Sequence, residues 1–167
     1  MERILVIGYG NPHRGDDGFG FHAAEQVQAM IHEQAVTVMT VQQLKPELAE
    51  TISRVDMVVF LQVASTGVPG TVHMGELAPK DAPEGLLSHE MSPEKLLAAA
   101  QIIYGRCPEA VMITVAGEIF GFSAHLSPVV EAALPRVFER LREIVVSAKE
   151  REPVRLRAHA VAAGSCG

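Results

Sequence analysis

Ile4, Leu5, Val6 and Ile7 form an unbroken aliphatic run that stops at Gly8. Such a run, with no polar alternation, predicts a strand buried on both faces, as in a parallel sheet. From Phe19 the spacing changes. Phe21, Ala24, Val27 and Ile31 recur at three- and four-residue steps, which predicts an amphipathic helix ending near Gln34. Val36 to Val41 is β-branched and bounded by polar residues, a second strand, and Pro46 can open a short helix after it. Met57 to Leu61 is a third apolar run. Gly67-Val68-Pro69-Gly70 is turn chemistry, and Thr71 to Met74 reads as a short strand returning alongside, at an edge. Pro79 to Gly85 reads as loop. Ser92-Pro93-Glu94-Lys95 combines a cap residue with proline and glutamate in a first turn, so a helix starts there, and Gly105 stops it. Val111 to Val115 is another buried strand. Ser127-Pro128 opens a closing helix whose stripe is Val130, Leu134, Val137, Leu141 and Val145.

Strands alternating with helices at short spacing predict an α/β sandwich: a mostly parallel sheet with helices on both faces. With 167 residues, 48% hydrophobic and 20% charged, the chain has enough material for one core. One domain over 1–150 is expected, followed by a flexible tail over 151–167.

Charge and apolar run length narrow the function. Fourteen basic against twenty acidic side chains give a net charge of −6, with no basic stripe for a phosphate backbone, which argues against nucleic acid as a partner. No apolar stretch approaches the roughly 18 to 20 residues of a membrane helix, and the start has no signal-peptide pattern, so a cytoplasmic protein without membrane attachment is expected. Cys107 and Cys166 fit a reducing compartment and match no metal knuckle or redox pair; Cys107 is expected to be an inert buried thiol.

In open α/β sheets ligands gather at the carboxyl ends of strands, which directs attention to the loops after the first and third strands. Gly8-Tyr9-Gly10-Asn11 begins like a dinucleotide fingerprint, but the third glycine would fall at position 13, where His13 stands. The loop instead continues Pro12-His13-Arg14-Gly15-Asp16-Asp17-Gly18 and sets two carboxylates at a helix start. Acids there are favourable against the helix dipole and can cap. In one reading one acid caps and the other is solvated; in the other reading one caps while its neighbour enters the cleft as a metal ligand or base. Position alone does not separate them. His89 lies in a loop just before the Ser92 cap, and an isolated histidine is ordinarily a surface or hydrogen-bonded residue. His13, in the glycine-rich loop, and His73, on the strand after the turn, are further candidates. No G-x-S-x-G elbow and no H-E-x-x-H helix occurs, which leaves acyl-enzyme hydrolysis and the common zinc protease plan without support.

In combination and order, Ile4 to Gly8, Gly10-Asn11 with Gly15-Asp16-Asp17-Gly18, Pro69-Gly70-Thr71 beyond the third strand, Ser88-His89-Glu90 and Leu126-Ser127-Pro128 resemble the hydrogenase maturation endopeptidases. The resemblance covers roughly residues 3–146. It implies a three-layer α/β/α sandwich and an aspartic-type-like endopeptidase that removes the C-terminal extension of a nickel-iron hydrogenase large-subunit precursor. It also implies that nickel arrives already inserted in that precursor, so that no resident cofactor is expected; the sequence leaves the oligomeric state open, with a monomer favoured. Three ligands are implied: an acid of the glycine-rich loop, falling on Asp17; an aspartate ending the third strand; and a loop histidine, falling on His89. Asp17 and His89 are also the implied catalytic residues, with Asp16 left to cap or support. At the middle position this chain has Gln62. An amide oxygen can still ligate, but it brings no negative charge to a divalent cation. Three outcomes follow: Gln62 ligates in a working enzyme, another acid such as Asp16 takes over, or the chain is a chaperone-like homologue that binds precursor without cutting it. Retention of the other two positions and of the whole loop favours activity.

Overall fold

A computed structural model describes residues 2–80 and 91–159, with side chains through residue 151. The elements in chain order are β1 (Ile4–Tyr9), a 3-10 turn (Gly15–Gly18), α1 (Phe19–Met30), β2 (Val36–Val41), α2 (Leu48–Ser53), β3 (Met57–Ala64), β4 (Val72–Leu77), α3 (Pro93–Tyr104), β5 (Glu109–Ala116) and α4 (Pro128–His159). The strands form one sheet in the order β2-β1-β3-β5-β4. All pairings are parallel except that of β4, which lies antiparallel on β5 at the edge. The partner of β4 is therefore not the strand that precedes it, because β5 pairs with β3 along its whole length, from Met57↔Glu109 to Ala64↔Ala116.

Strand side chains alternate between two separate cores, as the pleat requires. Ile4, Val6, Val59, Leu61, Ile113 and Val115 pack under α1 and α4. Leu5, Ile7, Val58, Phe60 and Ala110 pack under α2 and α3. The result is the expected three-layer α/β/α sandwich. The caps follow the sequence at α3, where Ser92 Oγ accepts from Lys95 N and Gly105 closes the helix at φ +69°. The stripe predicted for α4 is buried at all five positions, Val130, Leu134, Val137, Leu141 and Val145. That helix continues to His159, past the point at which the sequence sets the start of a tail. Cys107 is in a disulfide, which corrects its reading as an inert thiol; spacing along the chain carries no information about which sulfurs meet. Among the described residues no helix is long and apolar enough to cross a membrane.

The order β2-β1-β3 makes the chain leave β1 toward one side and return to β3 on the other, opening a crevice at the carboxyl ends of these two strands. Behind the crevice wall at Tyr9, α1 lies unusually close to the sheet. A Cβ on Gly20 would sit 2.1 Å from the Leu61 carbonyl oxygen and 2.5 Å from that of Tyr9, both backbone atoms with no freedom to yield. Alanine at this helical position would gain about 1 kcal/mol of propensity, while overpacking costs about 1 to 3 kcal/mol or more. We expect Gly20→Ala to lose about 1 to 2 kcal/mol net, read as a lower denaturation midpoint in urea at an unchanged slope; a midpoint equal to that of the native chain would show that the helix can move away.

Candidate functional site

The loop from Gly10 to Gly18 is folded by its own backbone and by its two acids. Gly10 has φ +138°, and a Cβ there would lie 2.0 Å from the Asp17 carbonyl oxygen, so only glycine allows the loop to close on itself. Asn11 Oδ1 accepts from His13 N at 2.9 Å, and Asn11 N donates to Asp17 Oδ2 at 2.9 Å. Neither acid caps α1, whose cap residue is Gly18 and makes no side-chain bond, so the capping reading is corrected for both. The 3-10 turn ahead of α1 moves the carboxylates away from the helix's free N–H groups.

Asp16 is wholly buried, at 0% exposure. Its Oδ2 accepts from Glu118 N at 2.8 Å, Ile119 N at 2.9 Å and Ser127 Oγ at 2.8 Å, and its Oδ1 accepts from Ser127 N at 2.8 Å. Burial pushes the pKa of such a carboxyl up, but the donors from Ile119, Glu118 and Ser127 outweigh it and hold Asp16 below the usual carboxylate range. A carboxylate with four donors on it is a tie between segments. Asp16 is thus removed as a substitute metal ligand.

Asp17 is half-buried and faces a different space. With Tyr9, Gly10, Gln42, Gln43, Leu44, Gln62, Val63 and Met91 it lines an open cavity of about 300 Å³ at the carboxyl ends of β1, β2 and β3. The crevice thus brings together Asp17 and Gln62, two of the three positions singled out by sequence. The third, His89, lies outside the described residues; Met91, two residues further on, is part of the cavity wall. His13 and His73 are exposed and are not among the residues lining the cavity. Among the described residues no three histidine, cysteine or acidic side chains are grouped closely enough to hold a metal ion.

Gln62 is already engaged. The register Gly8↔Leu61 sets Tyr9 beside Gln62, and the Tyr9 hydroxyl donates to Gln62 Oε1 at 2.6 Å. Burial, with the Glu94 carboxylate adding to it, pushes the Tyr9 pKa up, so the phenol remains a donor. With Oε1 accepting from Tyr9, the carbonyl end of the amide is already engaged. Tyr9 is the site residue that the sequence did not single out. Its only signal is its place at the end of a buried strand, and the pairing with Gln62 depends on a register that spans 53 positions of chain.

No family model and no curated protein matches the chain by sequence. Solved structures match it along most of its length. A hydrogenase 2 maturation peptidase from a Thaumarchaeota archaeon is 27% identical, with 86% of this chain and 98% of that one covered and a TM-score of 0.67. The hydrogenase maturating endopeptidase HybD of E. coli is 25% identical, with 84% and 93% covered and a TM-score of 0.65. The [NiFe] hydrogenase maturation protease HycI of Thermococcus kodakarensis, at 23% identity, 85% and 91% coverage and a TM-score of 0.68, shares the fold.

The Asp16 geometry sets a pH dependence. A carboxyl whose folded pKa is depressed adds stability that is fully present above the unfolded value of about 3.9 and is lost as pH falls through the folded value. Asp16→Ala is expected to cost about 3 kcal/mol or more at neutral pH, since it strands buried donors. Denaturant titrations from neutral pH down to pH 3 should show a shallower acid decline for Asp16→Asn than for the native chain; parallel declines would mean that Asp16 is not the titrating tie.

Proposed function

The chain belongs to the hydrogenase maturation endopeptidase family, and on that premise we propose that it removes the C-terminal extension of a nickel-loaded hydrogenase large-subunit precursor. Nickel is part of the substrate, carried on the precursor's own cysteine thiolates. The observation that carries this reading is the Asp17 carboxylate at the wall of an open crevice, with Oδ2 fixed by the Asn11 N–H and no described donor on Oδ1. A carboxylate oxygen held in this way suits a borderline divalent cation. His89 would supply the imidazole and Gln62 the third contact. Docked there, nickel positions the scissile peptide; of Asp17 and His89, the one not engaged as a ligand takes a proton from the attacking water and returns it to the leaving amine as the peptide C–N bond breaks. Precursor without nickel would lack the bridge to Asp17, which makes metal insertion a condition for cutting.

Gln62 favours a second reading, in which the chain binds precursor without cutting it. It brings no charge, and its amide oxygen already accepts the Tyr9 proton, so ligation through Oε1 competes with a short hydrogen bond. Losing one anion at a cation site is expected to cost at least the 10- to 100-fold that removal of supporting partners costs.

Three experiments test these readings. Purified protein incubated with nickel-loaded and nickel-free precursor is expected to shorten only the loaded form, and failure to cut it removes the endopeptidase reading. Asp17→Asn should lower that cleavage at least 100-fold while shifting stability by about 1 kcal/mol or less, because a single hydrogen bond changes. Gln62→Asp restores the anion and is expected to raise the cleavage rate tenfold or more; cleavage seen only with this variant would establish the binding-only reading for the native chain.

A further inference from the structure

The loop between β5 and α4 carries a patch with no role in the chain's own core. Phe122 is 94% exposed, Ile119 51% and Phe120 36%, and on the neighbouring loop after β3 Val68 is 74% exposed. Singly exposed apolar residues are common on any surface; several together mark a contact site.

This loop is not slack. Asp16 holds it at Glu118, Ile119 and Ser127, Ser123 N donates to His13 O at 3.0 Å, and Gly15 N donates to Ser123 O at 2.9 Å. Every one of these ties runs to residues 13–16, immediately before Asp17. The Val68 loop is fastened to the same sheet end, with Gly70 N on Ala116 O at 2.8 Å and Gly117 N on Ala64 O at 2.9 Å. At Gly117 the patch and the crevice adjoin. A Cβ there would meet Phe120 at 2.6 Å, Val63 of the cavity wall at 2.9 Å and Asp16 at 3.1 Å. The apolar side chains are therefore held in water at a fixed position beside the site.

Size indicates what covers them. A specific protein complex buries upwards of about 1,000 Å² in total, whereas a cavity of about 300 Å³ has room for only a few side chains. A folded substrate protein must rest on surface outside the crevice, and this patch is continuous with it. Resting on the function proposed above, we propose that Ile119, Phe120, Phe122 and Val68 form the docking surface for the body of the hydrogenase large-subunit precursor, which seats there while its C-terminal extension enters the crevice at Asp17. The face that docks is accordingly apolar and lies beside the base of that extension. Because the loop hangs from Asp16, docking on Phe122 and contact at Asp17 are held at one spacing.

The test uses the full chain and nickel-loaded, full-length precursor. Phe122→Ser leaves the core untouched, and its thermal midpoint should equal that of the native chain. We expect its Kd for precursor, by calorimetric or surface-based titration, to rise at least tenfold, and its KM for cleavage to rise in parallel with kcat unchanged. Met30→Ser, an equally apolar but remote exposed position, should change neither. Precursor affinity within twofold of native for Phe122→Ser overturns the docking surface even if cleavage proceeds. Affinity that depends on Phe122 without any cleavage keeps the docking surface and removes the endopeptidase reading. A native chain that binds no precursor removes both. Sedimentation of the chain alone is the remaining arm: dimers that Phe122→Ser turns into monomers would assign the patch to a second copy and overturn the proposal.

Discussion

A single buried carboxylate organises the functional end of this molecule. Asp16 has no solvent contact, and its oxygens accept from two backbone amides after β5 and from both donors of Ser127, the residue that precedes α4. A buried charge is tolerated only when donors satisfy it, and each donor here belongs to a segment more than a hundred positions away in sequence. The glycine-rich loop, the β5–α4 loop and the start of α4 are therefore fixed relative to one another by electrostatics in a dry environment. What the neighbouring Asp17 can reach, and where Phe122 stands, both follow from that tie.

The two adjacent acids divide the work because their surroundings differ. One is inside, saturated with donors and held ionised. The other is half-buried, bonded once among the described residues, and turned to an open crevice. The crevice exists because strand order reverses between β1 and β3, so that no connection covers the carboxyl ends at that point. Close packing of α1, permitted by Gly20, keeps its wall in place.

Gln62 gives the site a different electrostatic character from one built on two carboxylates. Its oxygen accepts from Tyr9, so the Tyr9–Gln62 pair is a neutral, hydrogen-bonded part of the crevice wall that it shares with Asp17. Under the function proposed above, a cation seated there would gain most of its protein charge compensation from Asp17, and the thiolates of the substrate protein would carry the remainder. On that proposal, discrimination between loaded and unloaded precursor would rest heavily on one carboxylate.

Hydrophobic periodicity by itself determined the order and kind of the elements, the two-faced sheet and the helix caps at Ser92 and Gly105, because burial and capping are decided by residues within a few positions of one another. The glycine-rich loop also stood out in sequence for its density of glycine and acid, whereas Gln62 stood out only through the family resemblance, which implies an aspartate there. Which acid does what was not legible in the local pattern, and only the resemblance pointed to Asp17 as ligand and Asp16 as cap or support. The roles of Asp16 and Asp17 depend on donors from residues 118, 119 and 127, and the engagement of Gln62 depends on the strand register that sets Tyr9 beside it. Neither leaves a local trace. Tertiary structure alone decided these points, because hydrogen bonds and burial act through space between segments whose separation along the chain does not encode their distance.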